Sequence, residues 1–383
     1  MTQNQSQVWL CPDLLFDGET LRSGMALGLS QGRTTLVIPV SQISPDSARL
    51  ALRGTLSPGF VDLQVNGGGD ALLNNTPTPE AMVTMAAAHR RFGTMAILPT
   101  VITDAPEVLA AAVRAAIVAK GLPGILGLHI EGPHLSITRR GTHSPQWVRS
   151  FEPSTLNHVR SLRDAGVFVK ITVAPEVMAK GDIAALVATG AVVSLGHSDT
   201  TSDVVRAALA EGASCFTHLY NAMSPMLNRA AGVTGACINS TAYAGIICDG
   251  HHVADEMVGL AIRARPVKGR MFLVSDAMST VGGSDRFKLY DQEVRLISGR
   301  LVNAEGSLAG AHVTMAEGLA RLIGTVGVSP EVALGMAIST PAALARQPAL
   351  AVPEGRALAD LVLLNHQWKV RAIGPALIEG IAA

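Results

Sequence analysis

Residues 59–100, "GFVDLQVNGGGDALLNNTPTPEAMVTMAAAHRRFGTMAILPT", decide the fold. An apolar run at 60–65 and another at 94–100 are each too short for a helix and carry little charge, which is typical of strands buried on both faces. Between them, "TPEAMVTMAAAHRRF" (78–92) has the composition and length of a helix. The stretch therefore predicts one strand–helix–strand unit with parallel strands.

The same unit recurs along the chain. Further apolar runs are "ILGLHIE" (125–131), "VFVKITVAPE" (167–176), "AVVSLGH" (191–197), "SCFTH" (214–218), "AGIICDG" (244–250) and "GRMFLVSD" (269–276). Eight strands alternating with helices favour a (β/α)8 TIM-type barrel over a doubly wound sheet. A doubly wound sheet would predict a GxGxxG turn after the first strand, and "NGGGD" (66–70) does not match it.

The two ends of the chain do not follow this pattern. Short strand-like runs occur at 8–17, 24–30 and 34–40, and again at 358–365 and 368–374. We therefore predict a small β-sandwich domain built from both termini, residues 1–56 and 350–383. The catalytic barrel, residues 57–349, is inserted between these two parts.

Composition excludes several classes of protein. Of 383 residues, 48% are hydrophobic and 16% charged, and the formal net charge is zero, which argues against disorder and against a nucleic-acid track. The four cysteines lack CxxC spacing, so we expect a reducing, cytoplasmic setting. No signal peptide and no apolar run of about 18 residues is visible, so no membrane span is expected.

Polar side chains stand where the barrel strands are predicted to end, which is where chemistry occurs in such barrels. These residues are Gln64, Asn66, Glu131, His197, His218, Asp249 and Asp276. Glu131, His197 and His218 form a His₂Glu set, which binds Zn²⁺ and leaves a fourth position open for water. Asp276 could accept that water's proton. Each residue alone could be structural, but structural residues need not all fall on one rim.

Several motifs in this chain resemble the amidohydrolase superfamily, and more closely the N-acetylglucosamine-6-phosphate deacetylases. They are "PGFVDLQVNG" (58–67), "HIEGPHLS" (129–136), "GTHSPQWV" (141–148), "APE" (174–176), "SLGHSDT" (194–200), "THLYNAMSP" (217–225), "CDGHHV" (248–253), "VSDAMSTVG" (275–282) and "SLAGAHVTM" (307–315). The superfamily's strand-1 HxH is replaced here by Gln64 and Asn66. The resemblance therefore implies one metal, with strand 1 lining the site.

The resemblance implies hydrolysis of N-acetyl-D-glucosamine 6-phosphate to D-glucosamine 6-phosphate and acetate. One divalent metal per subunit is expected, Zn²⁺ foremost, with Fe²⁺, Co²⁺ or Mn²⁺ as alternatives. Asp276 would be the proton acceptor and His143 would stabilise the oxyanion. The substrate would contact Gln64, Asn66, Thr142, Asn221, Ala222, Arg229, His252, Leu308 and Ala309. Arg229 would reach the neighbouring active site of a homodimer.

Two other functions remain open from the residues alone. Another amidohydrolase-superfamily deacetylase or a cyclic amidase would usually carry the HxH motif and a ligating strand-4 lysine, whereas Lys170 lies in mid-strand. A non-catalytic sugar-phosphate-binding barrel would have no need to keep Glu131, His197, His218 and Asp276. The metal content would separate the three functions. One equivalent per chain supports the deacetylase, two favour a binuclear relative, and none favours the non-catalytic barrel.

Overall fold

A computed structural model of the chain describes residues 7–303, 306 and 308–379. The outer limits predicted for the terminal domain, residues 1 and 383, and Ser307 of the last motif lie outside the described residues. Within the described part, no helix is both long and apolar enough to cross a bilayer.

Eight parallel strands form a nearly closed barrel, which confirms the predicted fold class. Barrel strands 1 to 8 are Phe60–Val65, Thr94–Ile102, Gly127–Glu131, Phe168–Val173, Val192–Leu195, Cys215–Phe216, Tyr243–Ile246 and Met271–Leu273. Each strand pairs with the next one along the chain, as a right-handed βα repeat requires. Almost all of their side chains are buried, because barrel strands have a packed interior on one face and helices on the other.

The barrel closes at the carboxyl end of strand 1. The backbone N–H of Asp276 donates to the carbonyl of Gln64 at 3.0 Å, and the N–H of Asn66 donates to the carbonyl of Ala277 at 2.9 Å. A parallel bridge joins Val65 to Ala277. Closure therefore brings Asp276, just beyond strand 8, beside the polar side chains of strand 1.

Helices cover the outside of the barrel. They are Pro79–Arg90, Pro106–Val118, Pro153–Asp164, Asp182–Ala188, Ser202–Ala210, Gly232–Ile238, Asp255–Ala264, Met315–Gly324, Pro330–Leu334 and Thr340–Leu344, with a π-helical turn at Gly335–Ser339. The short helix Ala376–Glu379 instead packs against strand Val370–Ile373. Local chemistry sets where some helices begin. Thr78 precedes Pro79, the first residue of its helix, and its side chain accepts a hydrogen bond from the N–H of Ala81. Thr314 forms a capping box with Glu317 at the start of helix Met315–Gly324.

One seven-stranded sheet contains strands from both ends of the described chain. Its strands are Val8–Phe16, Leu21–Arg22, Met25–Ser30, Arg33–Pro39, Ala48–Pro58, Leu361–Leu364 and Val370–Ile373. Leu363 lies opposite Leu56, and both contribute to a hydrophobic core separate from that of the barrel. The predicted boundaries at 56/57 and 349/350 stay a prediction.

Two small antiparallel sheets near the rim were not predicted. One pairs Gly67–Gly68 with Ala71–Leu72, and the other contains Arg286–Leu289, Gln292–Ile297 and Arg300–Val302. The Tyr290 hydroxyl donates to the carbonyl of Thr103 at 2.5 Å, which fixes the three-stranded sheet against the loop after barrel strand 2. The alternating side chains of "RFKLYDQEVRLISGRLV" (286–302) were the available signal.

Candidate active site

The carboxyl ends of the barrel strands surround a cavity of about 190 Å³. Most of the predicted site residues line it. The lining residues are Asn66, Ile102, Glu131, Gly141, Thr142, His143, His197, His218, Asn221, Ala222, His252, Asp276, Met278, Leu308 and Gly310. Strand-end positions, far apart in sequence, thus meet in one concave site, as the barrel geometry requires.

Glu131, His197 and His218 bring three ligand atoms into one small triangle. Glu131 Oε1 lies 3.3 Å from His197 Nε2 and 3.0 Å from His218 Nε2, and the two nitrogens are 3.0 Å apart. Tetrahedral ligands about 2.0–2.1 Å from Zn²⁺ would be roughly 3.3 Å from one another. The donor set therefore fits a divalent metal in both chemistry and spacing.

The ring orientation of His197 suits a ligand. Its Nδ1 lies 2.9 Å from the carbonyl of Arg139, which can only accept, so Nδ1 carries the proton and Nε2 has a free lone pair. The Arg139 side chain is in turn paired with Asp199 at 2.8 Å. Glu176, in the "APE" motif, accepts from the N–H of Asp199 at 2.6 Å and from Ser198. These contacts hold the loop that carries His197.

The burial of this cluster affects the pKa values of its members. Burial raises the pKa of Glu131, but its contacts with His197 and His218 hold it well below its usual range. Burial lowers the pKa of His218, yet its contact with Glu131 raises it above the usual value overall. The carboxylate is therefore ionised, as a metal ligand has to be.

His143 lies at the same cluster, and one of its ring nitrogens is within 4.8 Å of donor atoms of Glu131 and His197. Nevertheless, its hydrogen bonds favour a different role. The backbone N–H of Thr103 points at Nδ1 at 3.4 Å, and Thr103 Oγ1 lies 2.8 Å from the same atom. A backbone N–H only donates, so we assign the ring proton to Nε2. Burial and the nearby His197 hold the pKa of His143 well below its usual range. A neutral ring with Nε2–H is a hydrogen-bond donor, so His218 completes the metal set better than His143 does.

The two strand-1 amides bond to carboxylates through their nitrogens. Asn66 Nδ2 and Gln64 Nε2 donate to Asp276 Oδ1 at 2.7 and 3.1 Å, and Gln64 Nε2 also donates to the Glu131 carboxylate at 3.1 and 3.3 Å. An NH₂ group has no lone pair for a metal, so in this orientation the nitrogens are not ligands. Burial and the charge of Glu131 raise the pKa of Asp276 above its ordinary value.

Several site residues have a left-handed backbone. The φ angles are +49° at His197, +33° at His218 and +52° at Asp276, and nearby Tyr220 and Ala222 have +79° and +51°. Residues other than glycine rarely take this conformation, and it is concentrated at functional sites. Each of the first three lies two or three residues beyond the end of its strand and lines the cavity.

Asp249, predicted at the end of strand 7, has no function assigned from the sequence alone. Asp249 Oδ2 lies 2.6 Å from His252 Nδ1, and Oδ1 accepts from the backbone N–H groups of His251 and His252 at 2.8 and 2.9 Å. Burial raises the pKa of Asp249, but the hydrogen bonds from His252 outweigh this effect and bring the pKa below its usual range. Asp249 therefore orients the His252 ring, with Nε2 left for the cavity. The three-residue spacing to His252 was the available signal.

Three predicted residues lie away from the cavity lining. Gln64 is fully buried beneath Glu131 and Asp276, and Ala309 is buried between two residues that do line it. Arg229 lies on the exposed stretch 225–230, beyond the cavity. The individual roles given to these residues and to those in the cavity stay predictions.

Comparison with known proteins gives a consistent picture. The amidohydrolase family profile matches residues 55–368. The chain is 42% identical to an N-acetylgalactosamine-6-phosphate deacetylase of Shewanella sp. (strain ANA-3), over 84% of this chain and 82% of that protein. It is 32% identical to the N-acetylglucosamine-6-phosphate deacetylase of Haemophilus influenzae, over 87% and 89%. The crystal structure of N-acetylglucosamine-6-phosphate deacetylase from Pasteurella multocida superposes with a TM-score of 0.88 at 30% identity, covering 96% of this chain and 98% of that one.

Proposed function

Because this chain belongs to the amidohydrolase family, we propose that it hydrolyses the acetamide of an N-acetylamino sugar 6-phosphate to acetate and the free amino sugar phosphate. One observation carries the proposal. A carboxylate and two imidazoles at metal-ligand spacing share a single cavity with a carboxylate of raised pKa, Asp276, and with a neutral imidazole donor, His143.

Glu131, His197 and His218 would hold a divalent metal, Zn²⁺ foremost. When bound, such a metal supplies an acidified water and polarises the amide carbonyl. Selection among Zn²⁺, Fe²⁺, Co²⁺ and Mn²⁺ depends on availability as well as on ligands. Elemental analysis of the purified protein tests this. One equivalent per chain supports the proposal, and none would favour a non-catalytic sugar-phosphate-binding barrel.

Asp276 is suited to moving the proton. Oδ1 accepts the hydrogen bonds from both side-chain amides, those of Gln64 and Asn66. Within the described residues no hydrogen bond is made to Oδ2, so Oδ2 is available to take a proton from water. Its raised pKa brings it nearer to that of a useful general base, and it can then protonate the leaving nitrogen. The Nε2–H of His143 would donate to the carbonyl oxygen as negative charge develops there.

Two sugars are candidates for the substrate. The motifs resemble those of enzymes named for N-acetylglucosamine 6-phosphate, and relatives so named are 32–34% identical to this chain. The 42% identity to a relative named for the galactosamine epimer favours N-acetyl-D-galactosamine 6-phosphate as a second candidate. Acetate release from both phosphorylated sugars and both unphosphorylated ones, measured side by side, tests the proposal. No release from any of them would overturn it.

Arg229 supports a shared active site in a homodimer. Its neighbours Met226 and Leu227 are 44% and 60% exposed, which suits a loop that docks on another subunit. A guanidinium on this loop could bind the partner's substrate phosphate in a bidentate manner. Arg229→Ala should then raise KM strongly for the phosphorylated sugar and little for the unphosphorylated one.

A mixed dimer of Arg229→Ala and Asp276→Asn subunits tests whether the loop crosses over. If it does, one site has both defects and the other has neither, so about half the activity remains. If Arg229 acts within its own subunit, each site has one defect and little activity remains at low substrate. That result, or an active monomer, would contradict the shared site but leave the deacetylase proposal in place.

A cytoplasmic location is also part of the proposal. All four cysteines are free, three of them buried, and a phosphorylated sugar is a substrate of the cell interior.

A further inference from the structure

A larger cavity, of about 690 Å³, lies at the opposite end of the barrel from the active site. Its wall includes the start of barrel strand 2 at Met95 and Ala96 and the residues that precede strands 3 and 4, Leu126 and Gly166. The other side is formed by residues between 347 and 360, which lead into the terminal sheet. We call it the basal cavity.

The charges in the basal cavity are unbalanced. Arg90, Lys120 and Arg356 line it, against one carboxylate, Asp360, so its charged side chains sum to two positive charges. Arg90 pairs with Asp360 at 2.6 Å, while the guanidinium of Arg356 is 3.6 Å from the same carboxylate. Two guanidiniums thus share one carboxylate. The Arg356 side chain is only 9% exposed, so water screens its charge poorly.

Burial lowers the pKa of Arg356, and the neighbouring Arg90 lowers it further against the effect of Asp360. Lys120 extends the positive side of the cavity, with its Nζ donating to the carbonyl of Ala165 at 2.7 Å. An anion placed here would meet cations from three separate segments. This arrangement differs from an isolated surface ion pair, in which the charges already balance.

The remaining lining is apolar. Val83 and Leu122 are 41% and 37% exposed, and Met95 and Leu350 add further hydrocarbon surface. Ala86 and Ala87 also line the cavity, and their side chains are too small to fill it. Exposed aliphatic side chains beside uncompensated cations suit a ligand with an anionic head and an apolar body.

We propose that the basal cavity binds an amphipathic organic anion, a phosphate monoester or a carboxylate with an aliphatic body. The anionic head lies among Arg90, Lys120 and Arg356, and the body lies on Val83, Leu122 and Leu350. The site is independent of the reaction at the other end of the barrel. It adds a second ligand to the protein, with no chemical step.

The test is calorimetric titration of the metal-loaded protein with hexyl phosphate, heptanoate, inorganic phosphate and hexanol. We expect the two amphipathic anions to bind more tightly than phosphate or hexanol, and the better of the two identifies the head group. Lys120→Met should weaken binding at least about fivefold. Lys180→Met, an exposed lysine on another surface of the barrel, should leave it unchanged.

Asp360→Asn gives a result that damage to the fold cannot imitate. Removing the competing carboxylate frees both guanidiniums, so binding should become tighter, by about fivefold or more. Binding that weakens in Asp360→Asn, or that is unaffected by Lys120→Met, would show that the charges only clamp the terminal segment to the barrel. Absence of binding in the millimolar range, or binding that is purely competitive with substrate, would also overturn the proposal.

Discussion

Replacing Gln64 should show whether this residue ligates the metal or only donates hydrogen bonds to the carboxylates of Glu131 and Asp276. Gln64→Met keeps a long side chain but removes the Nε2 that donates to Glu131 and Asp276 at 3.1 Å each. A hydrogen bond to a charged group contributes about 1.5–3 kcal/mol. At roughly 1.4 kcal/mol per pKa unit, loss of the bond to Asp276 should raise the pKa of this carboxyl by about one unit. The bond from Asn66 remains, which limits the shift.

The sign of the effect follows from which form is stabilised. The lost bond favours ionised Asp276, and a general base works only when ionised, so the acidic limb of kcat/KM should move to higher pH. Metal content should stay at the wild-type value, whereas His218→Asn, the matched control, should lose it. Metal loss in Gln64→Met as complete as that in His218→Asn would refute the reasoning, and so would an unmoved acidic limb with metal retained.

Three further changes test other parts of the site. Asp276→Asn should keep its metal and lose about 10³-fold in kcat, and near-normal turnover would remove Asp276 from the mechanism. His143→Gln should lower kcat by about 10²–10³-fold with metal retained, because an oxyanion donor is lost, whereas metal loss would make His143 a ligand. Burial raises the pKa of Asp62 to about 7, so the folded state holds a proton that the unfolded state releases above about pH 4. Stability from this proton is present below pH 4 and lost by pH 7, so Asp62→Asn should raise the free energy of unfolding at pH 8 by up to roughly 4 kcal/mol and hardly at pH 4. Equal effects at both pH values in a denaturant titration would contradict this.

Much of the fold was predictable because the signal is local. Each barrel strand falls within or overlaps an apolar run identified in the sequence, and Glu131, His197, His218 and Asp276 stand at or just beyond strand ends. Strand lengths were less predictable. The run 214–218 gives only Cys215–Phe216, although the N–H of Thr217 still donates to the carbonyl of Leu195 at 3.0 Å.

Details of the site depend on contacts that the sequence does not encode locally. Nothing in "QVN" tells that the Gln64 nitrogen, and not its oxygen, faces Glu131, since that choice depends on residues in barrel strand 3 and beyond strand 8. The tautomer of His143 likewise depends on Thr103, forty residues earlier in the chain. Asp249 was found at a strand end, yet only the 2.6 Å contact with His252 gives it a function.

The sheet that joins the two ends of the chain has a consequence for synthesis on the ribosome. Strand Ala48–Pro58 pairs on one side with Val8–Phe16, but its partner on the other side, Leu361–Leu364, lies about 300 residues later. During translation the barrel can form while this strand still exposes unpaired N–H and C=O groups, and such an edge invites pairing with another nascent chain. Chains that stop before Leu361 should therefore aggregate, although their barrel is complete.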